Sequence, residues 1–290
     1  MRPAEKLLHI LSRPRVRKQV EMLRRKDAPI GIEYSKKQYK SYLNRPLDYE
    51  IEGKTIIEIG CGHGGISCFL AINGAKMVYG IDLNESRLES AQKFKNYLCE
   101  KYNTNDIPVG FIKKSAEKLD FDDNSIDLII ADNVFEHFDD NVSVLKECRR
   151  VLKPGGQIIS SSFPSIYSKN GPHLKKGVAV PWCYLFFSEK TIVNVLKKNA
   201  SEFPILKKVY GGLNEQSETI RDVRDYHDLN YLTYRKLKNQ IHEAGLRISS
   251  FRIHYINLLS KIIASKLTYK YWLINDILSN TASARITKDK

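Results

Sequence analysis

The chain has 290 residues, of which 42% are hydrophobic and 28% charged, and its net charge is +14. That length suffices for one sizeable core with an elaboration, and the composition is ordinary for a globular protein. No apolar stretch of about 18 residues predicts a membrane span, and the first residues do not resemble a secretion signal. The five cysteines form no C-x-x-C pair. We therefore expect a cytoplasmic protein with reduced thiols, without a disulfide framework or zinc site.

The positive charge is concentrated at the two ends of the chain. Residues 1–40 hold 12 Lys or Arg against 4 acids, a net of +8, and residues 261–290 hold 6 against 2, a net of +4. These basic ends can contact an anionic bilayer or phosphates, or they can be solvated helices. Because no RNA-binding motif is present, nucleic acid is not the expected partner.

The elements are predicted in chain order from the apolar periodicity. Residues 1–45 form a basic extension, helical over 4–26 and continuing as a polar helix or loop. The core, 46–163, alternates strands with helices, which requires a parallel sheet covered by helices on both faces. Its predicted strands are 54–59, 77–81, 109–112, 126–131 and 156–162, and its predicted helices are 64–73, 85–101 and 140–151.

The rest of the chain divides into an insertion and a C-terminal part. Prolines and aromatic residues break the periodicity over 164–229, an insertion that can roof a ligand site at the carboxyl edge of the sheet. Residues 230–290 complete the sheet, with a helix at 230–244 and strands at 246–256 and 283–287. Apolar residues and lysines between Tyr255 and Leu278 recur at helical spacing. Such a basic amphipathic segment can lie on anionic lipid, cover the sheet edge or form a dimer face.

A glycine-rich turn follows the first strand. The sequence IEIGCGHGG at 57–65 places Glu58 two residues before Gly60, the first glycine of a G-x-G-x-G turn. Gly60, Gly62 and Gly65 also fit the G-x-G-x-x-G fingerprint of dinucleotide-binding proteins. A carboxylate at the turn would repel a diphosphate. The turn therefore favours a ligand that carries positive charge or hydroxyl groups.

Further acids follow the next strands. Asp82 ends the second strand, where a carboxylate can accept hydrogen bonds from both ribose hydroxyls. Ser115, Ala116 and Glu117 follow the third strand and can border an adenine. Asp132 and Asn133 end the fourth strand, and a Lys-Pro-Gly-Gly turn precedes the fifth.

In this order the motifs resemble those of class I S-adenosylmethionine-dependent methyltransferases, from about Thr55 to Phe163. The resemblance implies an α/β fold, a three-layer doubly wound, mostly parallel sheet of seven strands with the last strand antiparallel. It also implies S-adenosylmethionine as cofactor, with S-adenosylhomocysteine as product. The implied cofactor-binding residues are Glu58, Gly60, Cys61, Gly62, Gly64, Asp82, Leu83, Ala116, Glu117, Asp132 and Asn133.

Methylation of a hydroxyl requires removal of its proton, and histidine is the natural base near neutral pH. The candidates are His137, five residues past Asp132, and His173 in the insertion. Aromatic and histidine residues of the insertion can contact a sugar: Trp182, Tyr184 and His227. The insertion loosely resembles that of bacterial methyltransferases of surface glycans. We therefore expect a hydroxyl of a small molecule, a sugar or a lipid-linked sugar as acceptor.

Other functions stay open at this point. Nitrogen or carbon acceptors of a natural-product pathway fit the same core, as does methylation of RNA or protein through the basic ends. An inactive cofactor-binding subunit is a third reading, against which the complete motif set argues. Glu136, His137 and Asp228 could hold a divalent ion, but their spacing is unspecific and no metal is expected.

Overall fold

The computed structural model describes residues 1–25, 31–44, 46–169, 177–206, 230–267 and 273–289. Seven strands in these ranges form one sheet: β1 (Thr55–Ile59), β2 (Met77–Asp82), β3 (Val109–Lys113), β4 (Ile126–Ile130), β5 (Leu152–Phe163), β6 (Arg247–Tyr255) and β7 (Ser279–Thr287). Their spatial order is β3-β2-β1-β4-β5-β7-β6. The pairs from β3 to β5 are parallel, whereas β7 is antiparallel to both its neighbours. The predicted fold class is confirmed.

Two strands are longer than predicted. β5 begins at Leu152 and includes the Pro-Gly-Gly turn, where Gly155 has a φ of +79° and donates its N–H to the Lys288 carbonyl at 2.9 Å. β7 begins at Ser279 because it pairs along the whole of β6, starting opposite Tyr255. Local apolar periodicity does not report this pairing, since the Ser-Asn-Thr start of β7 is polar.

Helices cover both faces of the sheet. Those in the described ranges are α1 (Pro3–Arg25), α2 (Ile32–Leu43), α3 (Gly65–Ile72), α4 (Glu85–Tyr102), α5 (Asn141–Val151), α6 (Cys183–Phe186), α7 (Glu189–Glu202), α8 (Tyr234–Glu243), α9 (Leu258–Leu267) and α10 (Ile274–Ile277). Side-chain caps fix the starts of α4, α5, α7 and α8, with the cap residues Asn84, Asp140, Ser188 and Thr233. None of the helices within these ranges combines the length and apolarity needed to cross a bilayer.

The two layers of helices bury alternate residues of the same strands. Ile57 and Ile129 face a cluster that includes residues of α5 and α8, whereas Ile56 and Ile130 face a cluster with α2, α3 and α4. Side chains of successive strand residues point to opposite faces. The continuous apolar runs of β1 and β4 therefore follow from burial on both sides, as in other parallel sheets.

The N-terminal helix packs on the insertion. Leu8 and Val16 of α1 form one buried cluster with Ile192 and Leu196 of α7. Asn194 Nδ2 of α7 also donates a hydrogen bond to Glu5 Oε1 of α1 at 2.9 Å. The predicted extension at 1–45 and insertion at 164–229 therefore share a core in their described parts.

Helices α6 and α7 were not predicted from the periodicity of the insertion. Ser188 caps α7, with its hydroxyl oxygen accepting from the Thr191 N–H at 3.3 Å. Two of the prolines that break the apolar pattern flank the helical segment, Pro181 before it and Pro204 after it. Because proline lacks an N–H it is disfavoured within a helix, and these two prolines lie at the boundaries of the helical segment.

Candidate active site

The chain reverses between β1 and α3 through glycines in left-handed conformations. The φ angle is +70° at Gly60, +54° at Gly62 and +74° at Gly64. A Cβ would lie 2.4 Å from Val134 at position 60 and 2.7 Å from Ala91 at position 64, but at Gly62 it would meet nothing within 4 Å. Gly62 therefore leaves open space in which a ligand can approach the backbone closely.

Glu58 lies behind this turn on β1 and is only 3% exposed. The Ser67 hydroxyl of α3 donates a hydrogen bond to Glu58 Oε2. The neighbouring residue on β2 is Gly80, where a Cβ would come within 2.8 Å of Ser67 Oγ. Burial, followed by the negative charges of Asp132 and Asp82, raises the pKa of Glu58 to about 8. A positive charge bound next to Glu58 would lower this pKa.

Asp82 ties the end of β2 to the glycine turn. Its Oδ2 accepts a hydrogen bond from the Gly62 N–H at 2.9 Å, and its Oδ1 accepts one from the Asn84 N–H at 2.8 Å. The carboxylate is 8% exposed, with Arg87 Nη1 at 4.0 Å. Each oxygen has a second lone pair, so Asp82 can also accept hydrogen bonds from a ligand.

Asp132 follows β4 and is held from two sides. The Tyr42 hydroxyl of α2 donates a hydrogen bond to Asp132 Oδ2 at 2.5 Å, and the Ser161 N–H of β5 donates to Oδ1. Burial and the neighbouring Asp132 carboxylate raise the pKa of Tyr42, so its hydroxyl remains a donor. The N-terminal extension thus supplies a side chain to the carboxyl edge of the sheet.

Helix α2 also covers the glycine turn directly. The buried Ser35 hydroxyl donates a hydrogen bond to the His63 carbonyl at 2.6 Å. At Gly65 a Cβ would lie 2.6 Å from the Ser35 carbonyl oxygen, so α2 and the start of α3 approach through a glycine. Tyr34 stacks edge-on against the His63 ring, with ring centroids 5.5 Å apart. The extension therefore covers the part of the turn that leads into α3.

The tips of β2 and β3 offer an apolar surface beside Asp82. Leu83 is 68% exposed although it is a large hydrophobic residue. Ala116 is buried in the loop after β3, and Glu117 next to it is exposed. An apolar side chain, a small residue and an acid can hold the face and edge of a planar base. The carboxyl edge of the sheet therefore has carboxylates that can bind the positive charge and the hydroxyl groups of a ligand. An apolar surface lies to one side of them.

The comparison with known families agrees with this geometry. A family model described as a methyltransferase domain matches residues 57–160, which span β1 to β5 apart from their ends. The seven-stranded, mostly parallel sheet with an antiparallel last strand is the one that the sequence resemblance implied. Residues 57–160 form a class I methyltransferase domain. The methyl donor of this class, S-adenosylmethionine, carries an ammonium group, a sulfonium charge and two ribose hydroxyls, which are groups that carboxylates can bind.

Curated relatives match more of the chain. A phthiotriol/phenolphthiotriol dimycocerosates methyltransferase of Mycobacterium leprae is 30% identical over 64% of this chain and 60% of its own length. A fatty-acid O-methyltransferase of Mycolicibacterium smegmatis is 29% identical over 46% of this chain and 48% of its own length. The chain thus spans about half to three-fifths of the length of these relatives.

A solved structure resembles the methyltransferase domain together with its surroundings. An S-adenosylmethionine-dependent methyltransferase from Mesorhizobium loti superposes with a TM-score of 0.50 and 17% identity, over 82% of this chain and 93% of that one. At this identity the likeness concerns the fold.

The residues predicted to contact the acceptor lie in different surroundings. His137 is half-buried in the turn after β4, and its N–H donates to the Val134 carbonyl at 2.8 Å. Trp182 donates its indole N–H to the Ile277 carbonyl at 2.7 Å, and Tyr184 packs against the cluster shared by α1 and α7. His173 and His227 lie outside the described residues. The roles of these five residues towards an acceptor stay predictions.

Two further positions predicted to bind the cofactor are Cys61, in the glycine turn, and Asn133, just after β4. The Cys61 side chain is 1% exposed and its N–H donates to the Ile81 carbonyl at 3.0 Å, and its role towards the cofactor stays a prediction. Asn133 has a φ of +54° and donates its N–H to the Ser162 carbonyl at 2.8 Å. Among the described residues no three His, Cys, Asp or Glu side chains are grouped to hold a metal ion.

Sequence reasoning missed the contribution of α2 and α3 to this site. The signal for α2 was the spacing of Tyr39 and Tyr42, which places both rings on one helix face, and both are buried. The signal for Ser67 was weaker, because a serine near a helix start is common. Tyr42 and Ser67 each donate a hydrogen bond to a carboxylate that is expected to face the cofactor.

Replacing Tyr42 by phenylalanine tests the link between the extension and the methyltransferase domain. We expect Tyr42→Phe to lower the free energy of unfolding by about 1.5–3 kcal/mol, because a hydrogen bond to a charged group is lost inside the protein. Urea unfolding measures this change. The control is Tyr34→Phe, which keeps the ring contact with His63 and removes a hydroxyl from a half-exposed side chain. Equal stability of the Tyr42 variant and the wild type would contradict the proposed link.

Proposed function

We propose that this protein transfers the methyl group of S-adenosylmethionine to an oxygen atom of a lipid or a lipid-linked sugar. The observation that carries the donor half is the group of carboxylates at the glycine turn. Burial and the negative charges of its neighbours raise the pKa of Glu58 to about 8. A cationic ligand bound beside Glu58 would stabilise the ionised carboxylate and lower this pKa. A bound diphosphate would place further negative charge next to these carboxylates, and the repulsion would weaken its binding.

The chain's own residues position the donor and move one proton. Glu58 pairs with the ammonium group, Asp82 accepts hydrogen bonds from the ribose, and Asp132, held by Tyr42, faces the sulfonium. When bound, the donor supplies an electrophilic methyl carbon that forms a bond to the acceptor oxygen as its bond to sulfur breaks. His137 accepts the proton when the acceptor is a hydroxyl, because a neutral imidazole nitrogen can act as a general base.

Two observations support an oxygen acceptor that carries an apolar chain. One of the relatives is by name a fatty-acid O-methyltransferase. In addition, α9 presents exposed leucine and isoleucine side chains next to the carboxyl edge of the sheet, where ligands of open α/β sheets bind. The aromatic residues of the insertion support the second form of the proposed acceptor, in which the lipid carries a sugar. The five free thiols support a cytoplasmic location.

The test is methyl transfer from S-adenosylmethionine with a radiolabelled methyl group. Fatty acids, lipid-linked sugars, soluble sugars and RNA serve as acceptors, and the label is followed into the organic phase. Alkaline treatment then releases the label of a methyl ester as methanol but leaves a methyl ether intact. We expect label in the lipid fraction with wild-type protein, none with Asp82→Ala, and wild-type levels with Asp106→Ala, an exposed acid outside the site.

Replacement of the proposed base separates the two kinds of oxygen acceptor. With a hydroxyl acceptor, His137→Gln should lower the rate of methyl transfer, whereas with a carboxylate acceptor, which needs no base, the rate should stay at the wild-type level. Label that enters only RNA, protein or a nitrogen or carbon atom would contradict the proposed acceptor class. A folded protein that transfers no label and binds no cofactor would contradict the function itself.

A further inference from the structure

Helix α9 buries its small side chains and exposes its large apolar ones. Ser260 and Ala264 are the residues of this helix that are buried. The exposed fractions of the large residues are 72% for Leu258, 63% for Leu259, 43% for Ile262, 37% for Ile263 and 39% for Leu267. A helix that packs on a core shows the opposite pattern. These five side chains, which we call the α9 apolar face, are a contiguous exposed patch of the kind that marks a contact with another body.

The position of α9 follows from the strand directions. β6 and β5 are both antiparallel to β7, so β6 runs in the same direction as β5. The end of β6 at Tyr255, which leads into α9, therefore lies at the same edge of the sheet as the end of β5 at Phe163. This is the carboxyl edge, at which the glycine turn and Asp132 also lie. The α9 apolar face thus lies at the same edge of the sheet as the proposed active site, beside the outermost strand β6.

The charged side chains of the segment that carries the α9 apolar face are of one sign. From Arg252 to Leu267 the chain carries three basic residues, Arg252, Lys261 and Lys266, and no acid. All three are exposed, and neither lysine forms an ion pair with another described residue. Lysine can extend its charged end away from an apolar surface while its methylene groups remain on it. Apolar side chains with flanking lysines suit the interface of an anionic bilayer.

We propose that the α9 apolar face inserts into the surface of a membrane that contains anionic phospholipid. The leucine and isoleucine side chains enter the boundary between head groups and acyl chains, and the basic residues contact lipid phosphates. This contact brings the carboxyl edge of the sheet next to the bilayer, so that a lipid acceptor reaches the active site without crossing water. In that respect the inference rests on the proposed function and extends it to the source of the acceptor.

The test is sedimentation of the full chain with vesicles. One set of vesicles contains phosphatidylcholine and phosphatidylglycerol, and the other contains phosphatidylcholine alone. The variants are Leu258→Gln with Leu259→Gln, and Lys261→Gln with Lys266→Gln. Leu43→Gln, an exposed leucine at the end of α2, is the matched control for the loss of surface apolarity. Binding of S-adenosylhomocysteine and the midpoint of thermal unfolding are measured for every protein.

We expect the wild type and the control to sediment with the mixed vesicles and much less with phosphatidylcholine alone. The double leucine variant should partition at least about tenfold more weakly, since its inserted apolar area is lost. The double lysine variant should lose most of the dependence on salt concentration. All proteins should keep the same affinity for S-adenosylhomocysteine, because the changes lie outside the cofactor site.

Two results would overturn the inference and leave the proposed function in place. The first is a wild type that binds S-adenosylhomocysteine but does not sediment with the mixed vesicles, or does so as well as its double leucine variant. The second is a dimer, detected by light scattering, that the leucine changes dissociate, which would assign the α9 apolar face to a second copy. Failure of the wild type to bind S-adenosylhomocysteine would instead count against the proposed function, whatever the vesicles show.

Discussion

The variant Asp82→Ala should bind S-adenosylhomocysteine about 100-fold more weakly than the wild type, because hydrogen bonds to a charged group are worth about 1.5–3 kcal/mol each. Both ribose hydroxyls are expected to donate to this carboxylate. The side chain also accepts the N–H groups of Gly62 and Asn84. Its removal therefore affects the shape of the glycine turn as well as the ligand contact. Calorimetric titration measures the loss.

Two further variants separate these contributions. Asp82→Asn keeps the size of the side chain and one acceptor oxygen, so it should bind with an intermediate affinity. Asp106→Ala removes an exposed carboxylate that pairs with Lys95 at 2.8 Å, and it should bind like the wild type. Wild-type affinity in Asp82→Ala would mean that the ribose lies elsewhere. Equal losses in the variants at positions 82 and 106 would mean that general destabilisation is responsible.

The second large effect concerns the pH dependence of cofactor binding. Burial and two neighbouring carboxylates raise the pKa of Glu58 to about 8, so at neutral pH the side chain is largely protonated. Its partner in the proposed complex is an ammonium group, which pairs with the ionised form. Binding of S-adenosylhomocysteine by the wild type should therefore strengthen as the pH rises from about 7 to about 8.5, with release of a proton.

Glu58→Gln should bind more weakly at about pH 8.5 and should not show this strengthening. Proton release is measured by titration in buffers of different ionisation enthalpy, and it should occur with the wild type alone. The matched control is Glu85→Gln, an exposed acid that pairs with Lys113. A wild-type affinity that is constant over this range would contradict the assignment of Glu58 to the ammonium group.

The same residue predicts how the stability of the ligand-free protein varies with pH. The folded state holds the Glu58 proton up to about pH 8, whereas the unfolded chain releases it near 4.5. Because the folded state binds more protons between these values, the free energy of unfolding falls as the pH rises through this window. Glu58→Gln should lack this contribution, so its stability should fall less steeply with pH in urea unfolding.

Local sequence was sufficient to predict the strand ends and the glycine turn that carry the candidate donor site. Glu58 and the three glycines lie within seven residues of one another, so their spacing alone defines a strand, a turn and a helix start. Asp82 and Asp132 were predicted because each ends an apolar strand, and parallel strands meet at one edge of the sheet. Residues of consecutive elements are close in sequence, which is why the order of the motifs predicts how these elements are arranged.

Contacts between distant parts of the chain were not predictable in this way. Tyr42 and Asp132 are 90 residues apart, and Glu5 and Asn194 are 189 residues apart. Apolar periodicity predicted a helix over much of α1 and an amphipathic segment around α9. It does not report which face of a helix is buried, since that depends on the partner. For α9 the buried face is the one with the small residues, which only the packing reveals.

The measurement that tests the central claim most directly is a calorimetric titration of the wild-type chain with S-adenosylhomocysteine, with NAD as the competing nucleotide. Binding in the micromolar range, with no detectable binding of NAD, is the predicted result, because the carboxylates at the glycine turn favour positive charge and disfavour a diphosphate. A folded protein that binds no S-adenosylhomocysteine, or that binds NAD equally well, would contradict the assignment of the site.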